Sequence, residues 1–197
     1  MPHPARSMPR PPRLAVLDRD GVLNVNRHDH VTRPDQWVWI PGSRTACARL
    51  AAAGVAIAVV TNQAAVGRGL IDETTLSRIH ARLVGDLAGL SVPAPLLLHC
   101  PHPPAWRCAC RKPRPGMVLA ALRHYGVAPA DAVMVGDHVT DVAAGAAAGC
   151  WSLHLRSGRG APPRRPPAGY LGSAPDLAAA VSRLLATSPA GRAGAGR

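Results

Sequence analysis

Short apolar runs alternate with amphipathic stretches along most of the chain. Each run spans only four to six residues and leads into polar or turn residues, which is typical of buried strands. The runs that predict strands are 14–18, 55–60, 95–99, 132–135 and 151–155. Between them, apolar residues recur at spacings of three and four and predict helices. These helices begin near Pro41, Asp72, Pro115 and Thr140, and a last one is expected over 176–186.

This alternation predicts a doubly wound α/β domain with a mainly parallel sheet. Strand–helix–strand crossovers are right-handed, so the helices are expected to cover both faces of the sheet. In such a sheet, ligands bind at the carboxyl ends of the strands. The chain between the first two strands is too short for a separate cap domain. We therefore expect an open site that is covered only by loops.

The two ends of the chain differ in composition from its middle. Residues 1–12 and 188–197 are rich in Pro, Ala, Gly and Arg, and we predict that both are disordered. The intervening residues 13–187 are enough for one domain of ordinary size. Within them, residues 156–169 (RSGRGAPPRRPPAG) are expected to form a mobile connection.

The net charge of +12 would ordinarily suggest a nucleic acid or another acidic partner. The charge is unevenly distributed, because residues 1–13 contribute +3 and residues 156–197 contribute +6. We therefore do not expect nucleic-acid binding as the main role. No apolar run approaches the roughly 20 residues that cross a bilayer, and the first residues lack the apolar segment of a secretory signal. A cytoplasmic monomer with no membrane partner is the expectation.

Two carboxylates follow the first predicted strand. Asp18 and Asp20 point the same way if the chain stays extended, and Gly21 permits a sharp turn after them. One of the two could attack an electrophile while the other transfers a proton. Acidic pairs after strands also often only cap or solvate a loop, so this pair alone indicates little.

Three other predicted strand ends or loops supply what phosphoryl chemistry requires. Thr61 offers a hydroxyl group, Lys112 a cation and Asp137 a third carboxylate. Mg²⁺ prefers oxygen ligands, so carboxylates from different strands form a credible partial shell. Lys112 is the only lysine in the chain, which leaves a compact ammonium where other cationic positions hold Arg. Chance retention of a lysine on a solvated loop is the alternative.

Four ordered motifs resemble those of the haloacid dehalogenase (HAD) phosphatase superfamily. They are Asp18–Asn24, Thr61–Gln63, Cys110–Pro113, and Gly136–Asp137 with Asp141. In detail they are similar to a capless branch that includes heptose bisphosphate and histidinol phosphatases, and the match extends over roughly residues 13–158. The resemblance implies a Rossmann-like fold, phosphomonoester hydrolysis and a Mg²⁺ cofactor.

The resemblance also implies a role for each motif residue. Asp18 would be the nucleophile that becomes a phospho-aspartate, and Asp20 the acid that protonates the leaving oxygen and later activates water. The carboxylates of Asp18 and Asp137 and the main-chain carbonyl of Asp20 would hold Mg²⁺. Asp141 would lie behind these groups and orient the lysine. Contacts with substrate or phosphate would come from Thr61, Asn62, Arg111 and Lys112.

A loop at residues 100–110 collects three thiols and one imidazole. Four such ligands suit tetrahedral Zn²⁺, and a closed Cys₃His shell is structural rather than catalytic. Free cytosolic thiols with an incidental histidine are the alternative, and a disulfide does not suit a reducing cytosol. The capless branch carries such a zinc loop, so the resemblance supports these four ligands. They are Cys100, His102, Cys108 and Cys110.

The substrate is the least determined part of the prediction. The segment Arg111–Met117 is more similar to the heptose bisphosphate members than to the histidinol members. We therefore expect removal of the 7-phosphate of D-glycero-D-manno-heptose 1,7-bisphosphate. A histidinol-phosphatase or another small sugar-phosphate phosphatase is the alternative. A nucleic-acid 3′-phosphatase and a zinc module without catalysis are weaker candidates. The loop 25–39, which has two histidines and two tryptophans, is expected to form a rim of the pocket.

Overall fold

A computed structural model describes residues 7–186 and contains one six-stranded sheet. The strands are β1 (Leu14–Leu17), β2 (Ala56–Asn62), β3 (Leu96–Cys100), β4 (Ala132–Gly136), β5 (Trp151–Leu155) and β6 (Tyr170–Ala174). Their order in the sheet is β3-β2-β1-β4-β5-β6, and every neighbouring pair is parallel. The predicted doubly wound α/β fold is confirmed.

Helices connect the strands as the periodicity predicts. They are α1 (Ser43–Ala52), α2 (Ala64–Gly67), α3 (Glu73–Ala88), α4 (Gly116–Tyr125), α5 (Val139–Ala147) and α6 (Leu177–Leu185). Asp72 caps α3 by accepting a hydrogen bond from the Thr75 amide at 2.7 Å. Helix α5 begins one residue earlier than predicted, because His138 is its N-cap and forms a capping box with Asp141. None of the helices among residues 7–186 is long and apolar enough to cross a membrane.

The core lies on both faces of the sheet. Alternate residues of β1 point to opposite faces, so Ala15 and Leu17 pack in one layer and Leu14 and Val16 in the other. The first layer contains apolar residues of α1, α3 and α6, and the second contains those of α4 and α5. The strands between the two layers are buried on both sides, which explains their continuous apolar runs.

The position of β1 determines where the site forms. It pairs with β2 on one side and β4 on the other, so the chain changes direction across the sheet at this strand. Leu17 is in register with Val59 and Val135. The residues that follow these three positions therefore emerge side by side at the carboxyl edge, where ligands bind in such sheets.

Strand β6 was not predicted. It is a short edge strand, Gly172 within it has a φ of 95°, and its pairing with β5 shifts register between Ser152 and His154. These irregularities remove the alternation that would have indicated a strand.

The N-terminal segment also differs from the prediction where the structure describes it. Met8 is buried in the core at 2% exposure, and Arg10 Nη2 lies 2.6 Å from Asp131 Oδ1. Residues 7–12 therefore pack against the domain, because an apolar side chain and an ion pair anchor them. The rest of that segment, and the predicted tail at 188–197, lie outside the described residues.

Candidate active site and metal centre

The carboxyl ends of β1, β2 and β4 open into one cleft of about 600 Å³. The loop before α4 and the segment after β5 complete its walls. Every residue for which we predicted a role in phosphate chemistry lines this cleft: Asp18, Asp20, Thr61, Asn62, Arg111, Lys112, Asp137 and Asp141. Residues more than 100 positions apart in the sequence thus share one cavity.

Lys112 is fixed by three acceptors in the floor of the cleft. Its Nζ lies 2.8 Å from Asp18 Oδ1 and 2.7 Å from Asp141 Oδ1, and it donates to the Val60 carbonyl at 2.9 Å. Burial lowers the pKa of Lys112, but the carboxylates of Asp141 and Asp18 outweigh that effect and raise the pKa above its usual value. The ammonium therefore stays charged at neutral pH.

Asn62 fixes the backbone of the same lysine. Its side-chain amide donates to the Lys112 carbonyl at 3.1 Å, and its Oδ1 accepts from the Lys112 amide at 3.1 Å. This residue lines the cleft at the end of β2. These two hydrogen bonds fix the backbone of Lys112 against the end of β2.

Asp18 lies beside two other carboxylates, Asp137 and Asp141, and one cation, Lys112. Burial, together with the charges of Asp141 and Asp137, raises the pKa of Asp18 to about 8, against the lowering effect of Lys112. Carboxylate oxygens of Asp18, Asp137 and Asp141 lie within 4.8 Å of one another. A divalent cation among them would offset this repulsion, so the donor set fits Mg²⁺.

The three carboxylates are not equivalent as metal ligands. Asp141 Oδ1 is paired with Lys112, and its Oδ2 accepts a hydrogen bond from the His138 amide at 3.0 Å. Both oxygens of Asp141 are therefore already engaged within the protein. Asp18 and Asp137 are better suited to bind a divalent ion directly, and their role as ligands stays a prediction.

Glycines make room for the Asp137 carboxylate. A Cβ at Gly21 or Gly158 would overlap this carboxylate, and one at Gly160 would overlap the Asp137 carbonyl. The Arg159 amide donates to Asp137 Oδ2 at 3.0 Å. Two segments of the chain, at Gly21 and at residues 158–160, thus enclose Asp137. Burial raises the pKa of Asp137 above its ordinary value.

The segment after β5 is therefore part of the site. Besides the contacts of Arg159 and the two glycines, Ser157 donates to the Gly21 carbonyl at 2.8 Å. We had expected residues 156–169 to be a mobile connection, but positions 157–160 are anchored to the floor of the cleft. The carboxyl end of β5 was a signal for this role, because strand ends on this edge supply the site.

Asp20 is surrounded by donors. Arg19 Nη2 donates to both of its oxygens at 3.0 and 2.9 Å, Asn24 donates at 2.9 Å and Gln63 at 2.8 Å. Burial raises the pKa of Asp20, but the charge of Arg19 and these hydrogen bonds outweigh burial and hold the pKa below its usual value. The ionised carboxylate is the stable form in this arrangement. The same Gln63 amide donates to Thr61 Oγ1 at 2.8 Å, which fixes the Thr61 hydroxyl beside Asp20.

A buried network behind Asp20 was not found from the sequence. Arg19 is only 1% exposed, and its Nη1 lies 3.4 Å from His80 Nε2 on α3. Its guanidinium also lies over the Trp37 ring at 5.9 Å. Trp37 is 3% exposed and supports this network from within the core. The predicted rim from the loop 25–39 is present, and Asn26, Arg27 and His30 form it.

Three arginines, Arg27, Arg111 and Arg159, also line the cleft. They are more exposed than Lys112, Asp137 and Asp141 in its floor. Arg111 donates to the His102 carbonyl at 3.2 Å, and Arg159 donates to the Asn26 carbonyl at 2.7 Å. Only Arg111 was predicted. The other two arginines come from loops whose position depends on the folded sheet.

The four predicted zinc ligands form a compact cluster beside the cleft. Their ligand atoms, three Sγ and the Nδ1 of His102, are separated by 3.2 to 3.6 Å in the close pairs. Zn–S bonds of about 2.3 Å and Zn–N bonds of about 2.0 Å in a tetrahedron require edges of about 3.6 Å. The donor set and its spacing therefore fit Zn²⁺. Cys47 and Cys150 lie elsewhere and are buried, as predicted.

The loop 100–110 that carries these four side chains, called the zinc loop below, is joined to the turn Thr61–Gln63 and to α2. The main-chain amide of Gln63 donates to the Cys100 carbonyl at 2.8 Å, and that of Gly67 donates to the Pro101 carbonyl at 3.1 Å. A Cβ at Gly67 would overlap the Pro101 carbonyl, so the close approach of α2 requires this glycine. The cluster therefore supports the strand end that carries Thr61 and the loop that carries Lys112.

Comparisons with known proteins agree with this geometry. The family model described as HAD-hydrolase-like matches residues 109–180. A D-glycero-beta-D-manno-heptose-1,7-bisphosphate 7-phosphatase from Pseudomonas aeruginosa is 41% identical over 147 residues, which cover 75% of this chain and 83% of that protein. The corresponding alpha-type phosphatase from Mycobacterium tuberculosis is 40% identical over 146 residues, or 71% of this chain and 77% of the other.

A solved structure extends the similarity to three dimensions. The D,D-heptose 1,7-bisphosphate phosphatase from Bordetella bronchiseptica, in complex with magnesium and phosphate, superposes with a TM-score of 0.80 at 38% identity. The match covers 88% of this chain and 98% of that one. With these relatives and this fold, the chain belongs to the family of HAD-like hydrolases that includes the heptose-1,7-bisphosphate 7-phosphatases.

Proposed function

We propose that the protein is a Mg²⁺-dependent phosphatase that removes the 7-phosphate of D-glycero-D-manno-heptose 1,7-bisphosphate. The observation that carries the proposal is the contact of Lys112 Nζ with Asp18 at 2.8 Å and Asp141 at 2.7 Å, beside Asp137 in one cleft. A nucleophile, a fixed cation and a metal-binding carboxylate thereby face the same space. The heptose bisphosphatases of the family supply the substrate class.

The reaction divides into two displacements at phosphorus. A carboxylate oxygen of Asp18 forms a bond to phosphorus while the bond between phosphorus and the sugar oxygen breaks. Asp20 gives that oxygen a proton, and for this step it must be protonated in the complex with substrate, although its ionised form is the stable one without substrate. Water then attacks the phospho-aspartate, Asp20 takes a proton from the water, and phosphate leaves as Asp18 is restored. The donors around Asp20 stabilise its ionised form, which is the form that activates water.

Other residues hold the transferring group. Lys112 and the Thr61 hydroxyl contact phosphoryl oxygens, and Asp141 orients the lysine through their 2.7 Å ion pair. The carboxylates of Asp18 and Asp137 and the Asp20 carbonyl bind Mg²⁺. The bound ion supplies positive charge that stabilises the phosphoryl group in the transition state.

Zn²⁺ has a structural role in this proposal. Its closed shell of Cys100, His102, Cys108 and Cys110 leaves no open position for substrate. The ion would order the loop that leads into Arg111 and Lys112, two residues that line the cleft. Zinc therefore acts on catalysis only through the position of these cations.

The outer arginines favour a substrate with a second phosphate. Arg27, Arg111 and Arg159 line the cleft and are more exposed than the residues of its floor. We expect them to meet the part of the substrate beyond the reacting phosphate, where guanidinium groups bind a phosphate bidentately. The same positive charge disfavours histidinol phosphate, whose amine is cationic. The two relatives differ in anomer, and both anomers carry the distal phosphate that these arginines would bind.

A substrate panel tests the function. We expect kcat/KM to be highest for heptose 1,7-bisphosphate among that compound, fructose 1,6-bisphosphate and histidinol phosphate, with turnover dependent on added Mg²⁺. A preference for histidinol phosphate would overturn the substrate assignment. Asp18→Asn should abolish turnover without changing the fold, and full activity in this variant would contradict the covalent mechanism.

We also propose that the enzyme is a cytoplasmic monomer. The groups that the proposed reaction uses, which are Asp18, Asp20, Thr61, Lys112 and Asp137, meet within this one chain, so the chemistry requires no residue from a second copy. A zinc shell with three thiolates is best maintained in a reducing compartment, and the cysteines among residues 7–186 are free. Sedimentation velocity at micromolar concentration tests the oligomeric state.

A further inference from the structure

A buried polar chain connects the last two strands to the candidate metal ligand Asp137. His154 on β5 is fully buried, and its Nε2 lies 2.9 Å from the main-chain carbonyl of Asp137. Its Nδ1 lies 3.4 Å from Ser173 Oγ on β6, and that oxygen lies 3.0 Å from the Tyr170 hydroxyl. None of these three side chains lines the cleft.

The Asp137 carbonyl determines the direction of every hydrogen bond in this chain. A carbonyl oxygen only accepts, so His154 Nε2 must carry a proton and donate it. In the neutral ring Nδ1 is then an acceptor, and the Ser173 hydroxyl donates to it. The Tyr170 hydroxyl can in turn donate to Ser173. One tautomer therefore satisfies every member of the chain.

The His154 side chain supplies one hydrogen bond beyond the end of the β4–β5 pairing. The pairing of β4 with β5 ends where Gly136 is in register with His154, so the carbonyl of the next residue, Asp137, has no partner in the ladder. The imidazole provides that partner. At the other end of the same peptide group, the His138 amide donates to Asp141 Oδ2 at 3.0 Å.

The peptide group between Asp137 and His138 is thus hydrogen-bonded at both its oxygen and its nitrogen. Rotation of this peptide plane would move the Asp137 side chain, whose own oxygen is fixed by the Arg159 amide at 3.0 Å. His154 contacts the oxygen of this peptide group, and Asp141 contacts its nitrogen. This arrangement fixes the direction of the Asp137 carboxylate relative to Asp18.

We propose that His154 is a positioning residue that sets the affinity of the site for divalent cations through the backbone of Asp137. The inference rests on the proposed function, since it takes Asp137 as a ligand of Mg²⁺. It assigns a role to a residue far from the reacting atoms. Groups that orient metal ligands typically contribute about 10- to 100-fold to metal affinity.

The test measures metal binding without substrate. Mg²⁺ is titrated calorimetrically into the zinc-loaded full-length protein. In His154→Leu, which removes the donor, we expect the Kd to rise about tenfold. In His154→Gln, whose amide can reach the same carbonyl, we expect the Kd to stay within about threefold of the original value.

Ser152→Ala is the matched control. Ser152 lies two positions before His154 on β5 and points to the same face. It is equally buried, and its Oγ has no hydrogen-bond partner within residues 7–186. Its loss should leave the Kd for Mg²⁺ unchanged, so any general weakening of β5 would be recognised.

An unchanged Kd in a folded His154→Leu protein would overturn the inference. If that variant does not fold, His154→Asn takes its place, because its amide is too short to reach the Asp137 carbonyl. An unchanged Kd in His154→Asn would overturn the inference equally, as would a failure of the unaltered protein to bind Mg²⁺. A protein that binds Mg²⁺ but hydrolyses no sugar phosphate would instead contradict only the proposed function.

Discussion

At the scale of the single residue, the contacts of Lys112 explain why a lysine is needed there. Its ammonium lies between two carboxylates and the Val60 carbonyl, and the side chain is only 2% exposed. A guanidinium group is planar and larger and cannot direct three donors at acceptors that surround one nitrogen. The one lysine of the chain is therefore at a position where arginine does not fit.

Lys112→Arg should consequently reduce kcat by about 100-fold or more, because the charge remains but its position relative to Asp18 changes. Hydrolysis of p-nitrophenyl phosphate and a thermal melt measure activity and fold separately. Arg114→Lys is the matched control, since Arg114 is an exposed cation on the same loop. Activity close to that of the unaltered protein in Lys112→Arg would contradict the role of this residue.

His80 makes stability depend on pH. Burial, followed by the charges of Arg19 and His99, lowers the pKa of His80 from its ordinary 6.5 to about 3. Between these two values the unfolded chain binds a proton at this residue and the folded protein does not. The free energy of unfolding should therefore fall as the pH drops through this window.

His80→Gln should remove this contribution. Between pH 7 and pH 5 the unaltered protein should lose about 1–2 kcal/mol more stability than the variant. Urea denaturation at the two pH values measures the difference. The exposed His124→Gln serves as the control and should follow the unaltered protein. Equal losses in His80→Gln and the unaltered protein would show that His80 is not buried in its neutral form.

At the scale of the element, the zinc loop is an extension of β3 that supports two other parts of the site. Its carbonyls accept hydrogen bonds from Gln63 and Gly67, and its last cysteine is followed directly by Arg111 and Lys112. The loop has few apolar contacts of its own, and its ordering therefore depends on the four metal ligands.

Cys108→Ser should remove zinc and loosen this loop before the rest of the protein. We expect loss of about one equivalent of zinc, faster hydrogen exchange over residues 100–112, and a lower kcat. Elemental analysis and hydrogen-exchange mass spectrometry provide the measurements. Cys150→Ala, which changes another buried cysteine, should retain zinc. Full activity in a zinc-free Cys108→Ser protein would refute the structural role.

At the scale of the whole molecule, the charges of the cleft are arranged by depth. Carboxylates of Asp18, Asp137 and Asp141 lie close together in the floor, and Lys112 contacts two of them. Arg27, Arg111 and Arg159 line the same cleft and are more exposed than Lys112, Asp137 and Asp141. Such an arrangement holds a cation and a reacting phosphate inside and attracts a second anion outside. Selectivity for a bisphosphate therefore depends on loops from distant parts of the chain.

Arg111→Gln should reduce kcat/KM for heptose 1,7-bisphosphate by about tenfold. The value for p-nitrophenyl phosphate, which lacks a distal phosphate, should change little. Arg156→Gln removes an exposed arginine that does not line the cleft and should leave both values unchanged. Equal losses for the two substrates in Arg111→Gln would indicate a role at the reacting phosphate instead.

The residues that form the floor of the site could be predicted from the sequence, but the contacts around them could not. Asp18, Thr61 and Asp137 each follow an apolar strand, and parallel strands end at one edge, so their convergence could be predicted. The pairing of Arg19 with His80 and the contact of His154 with Asp137 depend on how α3 and β5 pack. Nothing in local spacing encodes such contacts, and the irregular β6 gave no periodic signal.

The enclosure of Asp137 by glycines has a consequence for how the enzyme matures. Gly21 lies near the beginning of the chain, whereas Gly158 and Gly160 come long after the last motif residue, Asp141. A growing polypeptide that has passed Asp141 contains the groups that act on the reacting phosphate, but it lacks Arg159 and the backbone that surrounds the carboxylate. The enclosure of Asp137 is therefore completed only after residues 158–160 emerge from the ribosome, and we expect a chain that stops before them to be inactive.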